Sequence, residues 1–347
     1  MTERKTKTMT PKAVLSQMSL DLFCASQEPD TTRSLRIYDL APKYCYDKPV
    51  TPLSDAKVAS FTRPFSIKGH PYEVTVQAAT ITDPKGVEQV AFPAGREELV
   101  EAALRKMALS GSAINHKGSL GVKFSIYDLK QELAQHGHKA SHNDIKRSIL
   151  ILRRSTLRIT DQETGKTWEE NFFPQLAVGG WADGPGSEYS KWYVSFHSLV
   201  TDNITNLQYR DMNYPDLMAI KGMLARYIFQ RMVSVYTYAN PKEPYQPTRN
   251  QLLTESGKGL TGRSSALTEQ VKRALGQLMD QRIIEHWDIT KRDVEGKKTV
   301  NVHYNIFPTK RFVRQVIRAN DQERQRTATV TRSRLAEVRA GLEGSES

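Results

Sequence analysis

The 347-residue sequence has little cysteine, no long apolar run and fewer acids than bases. Cys24 and Cys45 lie far from any Cys or His at ligand spacing, so neither a disulfide framework nor a zinc site is expected, and both read as idle or buried thiols. No stretch approaches the roughly 18 apolar residues of a spanning helix. The start, MTERKTKTMTPK, lacks the apolar segment of a secretory signal, which points to a cytoplasmic protein without a membrane partner. Against 38 Asp and Glu stand 50 Lys and Arg, a formal charge of +12. Such an excess implies a polyanionic partner, because bases facing phosphates release condensed counterions. With 38% apolar residues the chain can bury a sizeable core, most simply as two compact units.

Residues 1–35 are too polar to fold alone and are expected to be disordered. Residues 36–95 read as a strand-rich, proline-punctuated extension in which Tyr72-Glu73-Val74-Thr75-Val76 alternates. After Gly95 the period becomes helical, with Leu99, Ala103, Leu104 and Met107 on one side. A turn-rich break at 111–121 leads to a strand at 120–124, a helix at 125–135, a His136-Gly137-His138 turn and a helix opened by Ser141 and Asp144 as a capping box. Strands at 157–160, 168–173 and 192–196 complete a unit spanning 96–205. The order returns in 206–310: a long helix from Pro215 to about Tyr238, helices at 249–256 and 265–282, and a strand pair at 283–290 and 299–307. Under a shift of 126, Ile145-Lys146-Arg147-Ser148-Ile149 meets Val271-Lys272-Arg273-Ala274-Leu275, Leu152 meets Leu278, and Leu157 meets Ile283. The expected fold is α+β, two tandem winged-helix domains, each a helix-turn-helix with a β-ribbon. A basic tail at 311–347 is expected to begin as a helix and fray into a disordered arm.

In the first unit Ile145, Ile149, Leu152 and Thr156 share one helix face, and Asn143, Lys146, Arg147, Arg154 and Arg158 gather opposite, with Leu150 among them. From Lys139 to Arg158 the one acid is Asp144, whereas a solvated face ordinarily mixes signs. In winged-helix geometry such a helix enters the major groove, where Arg147 suits guanine and Asn143 adenine. Lys146, Arg153, Arg154 and Arg158 suit phosphates. The second helix buries Leu267, Val271, Ala274, Leu275 and Leu278 and presents Ser265, Glu269, Gln270, Lys272, Arg273 and Gln277, a mixture suited to reading base edges. Arg263 and Ser264 suit a phosphate at its N-terminus, and Lys291, Arg292, Lys297 and Lys298 would tip the wing. Each set has a plainer reading, as an exposed helix face or a solubilising tip.

No catalytic residue, metal or cofactor is expected. Gly257–Ser264 has P-loop spacing, but Arg263 stands where lysine should reach the phosphates and no buried strand precedes it. His136-Gly137-His138 suits a helix-ending turn better than a metal-binding strand. Glu97-Glu98 and Glu169-Glu170 read as surface acids.

Gln17-Met18-Ser19-Leu20-Asp21-Leu22-Phe23 resembles the bacterial sliding-clamp-binding motif. By that resemblance Gln17 would hydrogen-bond the groove, and Met18, Leu20, Leu22 and Phe23 would fill its pockets. By element order over 95–310, and by helix patterns such as Ile145-Lys146-Arg147 and Leu217 to Met232, the chain resembles the iteron-binding replication initiators of theta-replicating plasmids. It is most similar to their TrfA-like branch. The strand-rich section before residue 95 has no match in that pattern. The resemblance implies a non-enzymatic protein that binds repeated duplex DNA sites at an origin and helps open the duplex, with the energy coming from binding itself, through bending or single-strand capture. It further implies recruitment of the host initiator, replicative helicase and clamp, and a monomer–dimer switch. Two recognition helices in one chain would occupy successive major grooves about 34 Å apart. A winged-helix transcriptional repressor or partition factor is the alternative within DNA binding, and a metal-dependent rolling-circle nickase is the enzymatic one.

Overall fold

The computed structural model describes residues 30–47, 49–55, 59–83, 85–116, 119–179 and 191–343. β3 (Ser60–Ile67) and β4 (His70–Gln77) are joined by Lys68-Gly69, whose φ of 53° and 87° match the two-residue turn that strand twist favours. β4 then pairs with β9 (Thr156–Asp161), and β9 with β10 (Thr167–Asn171), in the order β10-β9-β4-β3. Val74, Val76, Leu157 and Ile159 alternate inward and are fully buried, while Thr62, Thr75, Arg158 and Glu169 form a row across the outer face. Of the strands before residue 95, β3 and β4 therefore widen the β9–β10 ribbon instead of standing apart from it.

β2 (Val50–Pro52), β6 (Glu88–Ala91) and β5 (Ala79–Thr82) make a small second sheet. A third has the order β11 (Leu176–Gly179), β12 (Lys191–Ser195), β8 (Ser119–Ser125), β7 (Ala113–His116), the last lying where the sequence suggests only turns. β1 (Thr31–Leu35) pairs with β13 (Tyr209–Asn213), with Arg33 ion-paired to Asp211, so the disorder expected up to residue 35 gives way to a strand at Thr31.

In the first half the helices are α1 (Arg36–Leu40), α2 (Gly95–Met107), α3 (Ile126–Gln135), α4 (His142–Arg154) and α5 (Ser198–Thr205). The Ser141–Asp144 capping box opens α4 as expected, and the Asp144 carboxyl lies below its usual range chiefly because Ser141 hydrogen-bonds it. The long helix expected from Pro215 is broken into α6 (Tyr214–Ala219) and α7 (Met223–Val235). Arg226 holds the break by donating to the carbonyls of Ile220 and Lys221, each at 2.9 Å, and Gly222 N donates to Gln277 Oε1 at 2.8 Å. α8 (Arg249–Glu255), α9 (Ser264–Asp280) and the ribbon β14 (Ile284–Glu295)–β15 (Lys298–Pro308) follow.

α10 (Lys310–Glu343) corrects the expected fraying arm. It is docked through buried Phe312, Val313, Val316 and Ala319, and its Arg311 and Arg326 pair with Asp216 and Asp211 at 2.8 and 2.9 Å.

One apolar core runs through both halves, from Val74 and Leu157 to Leu275 and Ile306. Buried charge crosses the junction: Arg226, 2% exposed, pairs with Glu98 at 2.7 Å, and nearby Asp39 accepts Arg105 at 2.8 Å and faces Lys43 at 4.0 Å. Burial lowers the Lys43 ammonium from its usual range, with Glu101 and Asp39 opposing. Such pairs hold geometry more than they add stability, because breaking one strands its partner in apolar surroundings. Among the described residues no helix is long and apolar enough to cross a membrane.

Candidate nucleic-acid interface

Helix, turn, helix and antiparallel ribbon occur in both halves as α3-α4-β9-β10 and α8-α9-β14-β15. α4 ends at Arg154 and α9 at Asp280, the same 126 residues apart as the matched segments. Ile145 and Val271, Ser148 and Ala274, Ile149 and Leu275, Leu152 and Leu278, and Leu157 and Ile283 are all between 0 and 4% exposed. Each of these five matched pairs therefore faces inward on both copies.

α9 is held from behind. Thr248 caps α8, accepting from Gln251 N at 3.2 Å, and α8 begins with Arg249, itself 2% exposed. The Arg249 guanidinium donates to Ser264 and to Thr268 Oγ1, the latter at 3.1 Å, and reaches the Val300 carbonyl on β15. One buried side chain thus ties the start of α9 to its ribbon. The turn from α8 needs Gly257, whose φ is +83° and whose added Cβ would lie 2.5 Å from Arg63.

On the outer side of α9, Ser265, Glu269 and Arg273 are exposed and Gln270 and Lys272 half-buried, with Arg263 exposed at the N-cap. Two expected contacts are engaged elsewhere. The Ser264 hydroxyl donates to the Thr299 carbonyl, and Gln277 accepts from Gly222 at the break between α6 and α7. At the ribbon tip Gly296 turns the chain, and Lys297 and Lys298 are exposed beside it. His303 bonds Asp293 at 2.7 Å across the strands and lowers that carboxyl, with Lys291 adding to the effect.

α4 is different, because the sheet of β5 and β6 lies against it. Ile151, on the side away from the main core, is 3% exposed and forms a separate apolar cluster with Ala79, Ile81 and Ala91. Arg147 donates to Gln89 Oε1 at 2.8 Å and Arg154 to the Thr80 carbonyl at 3.0 Å. Arg158 lies on the ribbon, bonded to Thr75 Oγ1 at 3.3 Å and facing Glu169 at 4.0 Å. Arg147, expected to read guanine, is thus held by this sheet. Asn143 remains exposed in the first turn, while Lys146 and Arg153 are half-buried. The sequence did carry a signal of this cover: Leu150 and Ile151 fall off the apolar stripe and among the bases.

The P-loop-like segment is the α8–α9 turn, and its Lys258 pairs with Asp47 at 2.8 Å. His138 Nε2 lies 2.6 Å from the Met218 carbonyl, and His136 meets Tyr214 edge-on at 5.0 Å, so both histidines are engaged in packing. Glu97 and Glu98, read as surface acids, are buried, the first accepting from the Ala94 amide and Ser148 and the second from Arg226. Gln17–Phe23 lies outside the described residues.

No protein-family model and no curated protein matches the chain. Among solved structures it is similar to the selenomethionine derivative of RctB domains 2 and 3, with TM-score 0.47 and 11% identity over 78% of this chain and 99% of that one. It is similar also to another crystal structure of RctB domains 2–3, with TM-score 0.44 and 12% identity over 78% and 98%. A third is the Pi initiator protein in complex with iteron DNA, with TM-score 0.42 and 12% identity over 62% and 94%.

Proposed function

We propose that the chain is a sequence-specific duplex-DNA-binding protein of two tandem winged-helix units, 96–205 and 206–310, acting as a replication initiator on repeated sites at an origin. The observation that carries DNA binding is α9: fixed from behind by Arg249, it leaves Ser265, Glu269 and Arg273 exposed on a helix beside a lysine-tipped ribbon. Arginine reads guanine and glutamate accepts from cytosine, while Arg263, Lys297 and Lys298 suit phosphates. α4 adds contacts through Asn143 and Lys146 at its open first turns. The initiator role, opening of adjacent duplex and recruitment of host proteins, including a clamp through Gln17–Phe23, rests on the resemblance of the sequence to iteron-binding initiators.

Footprinting of the DNA flanking the gene, at fixed salt, tests this. Wild type is expected to protect direct repeats. Arg273→Ala should lose part of each repeat at a cost of about 1–3 kcal/mol, and Arg147→Ala should protect as wild type does. Unchanged protection by Arg273→Ala would remove α9 as the reading helix.

A further inference from the structure

The C-terminal helix closes a cleft whose charges do not balance. Where α10 passes β13, α1 and the tip of the β3–β4 hairpin, a cavity of about 600 Å³ is lined by Arg36, Lys68, Arg210 and Glu323, with Tyr238 beside them. Arg210, 2% exposed, donates to the Val233 carbonyl at 3.1 Å, to Asn320 Oδ1 at 2.6 Å and to one oxygen of Glu323. Arg36 reaches the other oxygen at 3.4 Å, and its Nε is buried without an acceptor among the described residues. The next carboxylate, Asp211, already pairs with Arg33 and Arg326. Lys68, exposed at the hairpin turn, has its ammonium lowered from the usual range by burial, then by repulsion from Arg36 and Arg210, with Glu323 opposing. Arg36, Lys68 and Arg210 thus share one carboxylate, Glu323, at the cleft.

The hairpin adds a second observation. Lys68 sits at φ 53°, a left-handed turn position that asparagine or glycine adopts more readily. A lysine held there, facing two arginines, fits a site that needs its charge.

We propose that this cleft binds the phosphate of a free nucleotide. Lys68 and Arg36 hold the phosphate as charge-assisted donors, and Tyr238, 86% exposed, offers the base an aromatic face. The ligand supplies the missing negative charge and fastens α10 to the hairpin and to α1.

Calorimetric titration of the full chain with a nucleoside monophosphate, ribose phosphate and inorganic phosphate tests the site. Saturable one-to-one binding of the nucleotide is expected. Lys68→Asn, which suits the same turn, should weaken all three ligands about ten-fold or more. Tyr238→Ala, at an exposed position that folding does not need, should weaken the nucleotide about five-fold or more and leave inorganic phosphate unchanged. Absence of saturable binding, or binding unaffected by Lys68→Asn, overturns the site. Equal affinity for nucleotide and ribose phosphate, or indifference to Tyr238→Ala, overturns the nucleotide assignment. Displacement of the nucleotide by a random-sequence duplex would make the cleft a DNA-backbone contact and overturn it as a small-ligand site.

Discussion

At His197 the two ring nitrogens have opposite roles. Nε2 lies 3.0 Å from the Leu157 carbonyl, and Nδ1 accepts the Leu199 amide at 3.1 Å, capping α5. The second bond requires a neutral ring, since a protonated Nδ1 would face the amide donor to donor. Burial lowers the imidazole below its usual range, with the Leu157 bond opposing. The folded state therefore binds this proton less readily than the unfolded chain. The stability it contributes is fully present above the ordinary imidazole value of about 6.5 and is lost as pH falls from there toward the folded value. Over that window, denaturant-derived stability should fall by up to about 1.4 kcal/mol per pH unit more in wild type than in His197→Gln. Parallel stability–pH curves for the two would show that the ring is not held neutral.

At the scale of elements, the cover on α4 should open by itself. Its apolar contacts are Ala79, Ile81, Ala91 and Ile151, a cluster separate from the main core. Ile151→Ala should therefore raise amide hydrogen exchange in β5 and β6 while α2 and the buried stripe of α4 stay protected, because weakly packed elements open below the global unfolding energy. A uniform rise across the first half would mean that the cover and the core unfold together. The same contrast explains what was legible in the sequence. α9 and the inward faces under the 126-residue shift follow from periodicity, because each helix packs its own stripe on the core beneath it. The cover was not legible, since Ala79–Thr82 and Glu88–Ala91 are short strands whose contacts with α4 span 58 to 74 positions. Leu150 and Ile151 off the stripe were its one trace. The break at Gly222 was hidden for a related reason. The groups that satisfy it, Arg226 and Gln277, lie on the following turn and on α9. Of the proposed DNA contacts, residue type was readable for all, but engagement of Arg147, Ser264 and Gln277 depends on partners that only the fold supplies.

For the whole molecule, the junction decides how the two halves are held relative to each other. They share one core, and Arg226 and His138 each bond from one half to the other. Removing one partner of a buried ion pair such as Arg226–Glu98 costs about 3–5 kcal/mol, so independent rotation of the halves is opposed by more than thermal energy. On the proposed function, two DNA-contacting helices held rigidly demand a fixed phase between the stretches of duplex they touch. Inserting about five base pairs, half a helical turn, between the two parts of a protected repeat should turn the second part to the far side of the duplex. Affinity should then fall to that of the first part alone, and a full-turn insertion should not restore it, since the spacing would now exceed the reach of a fixed junction. Retention of full affinity at either spacing, measured by mobility shift at constant salt, would show that the units bind as tethered modules and that the buried charges serve stability alone.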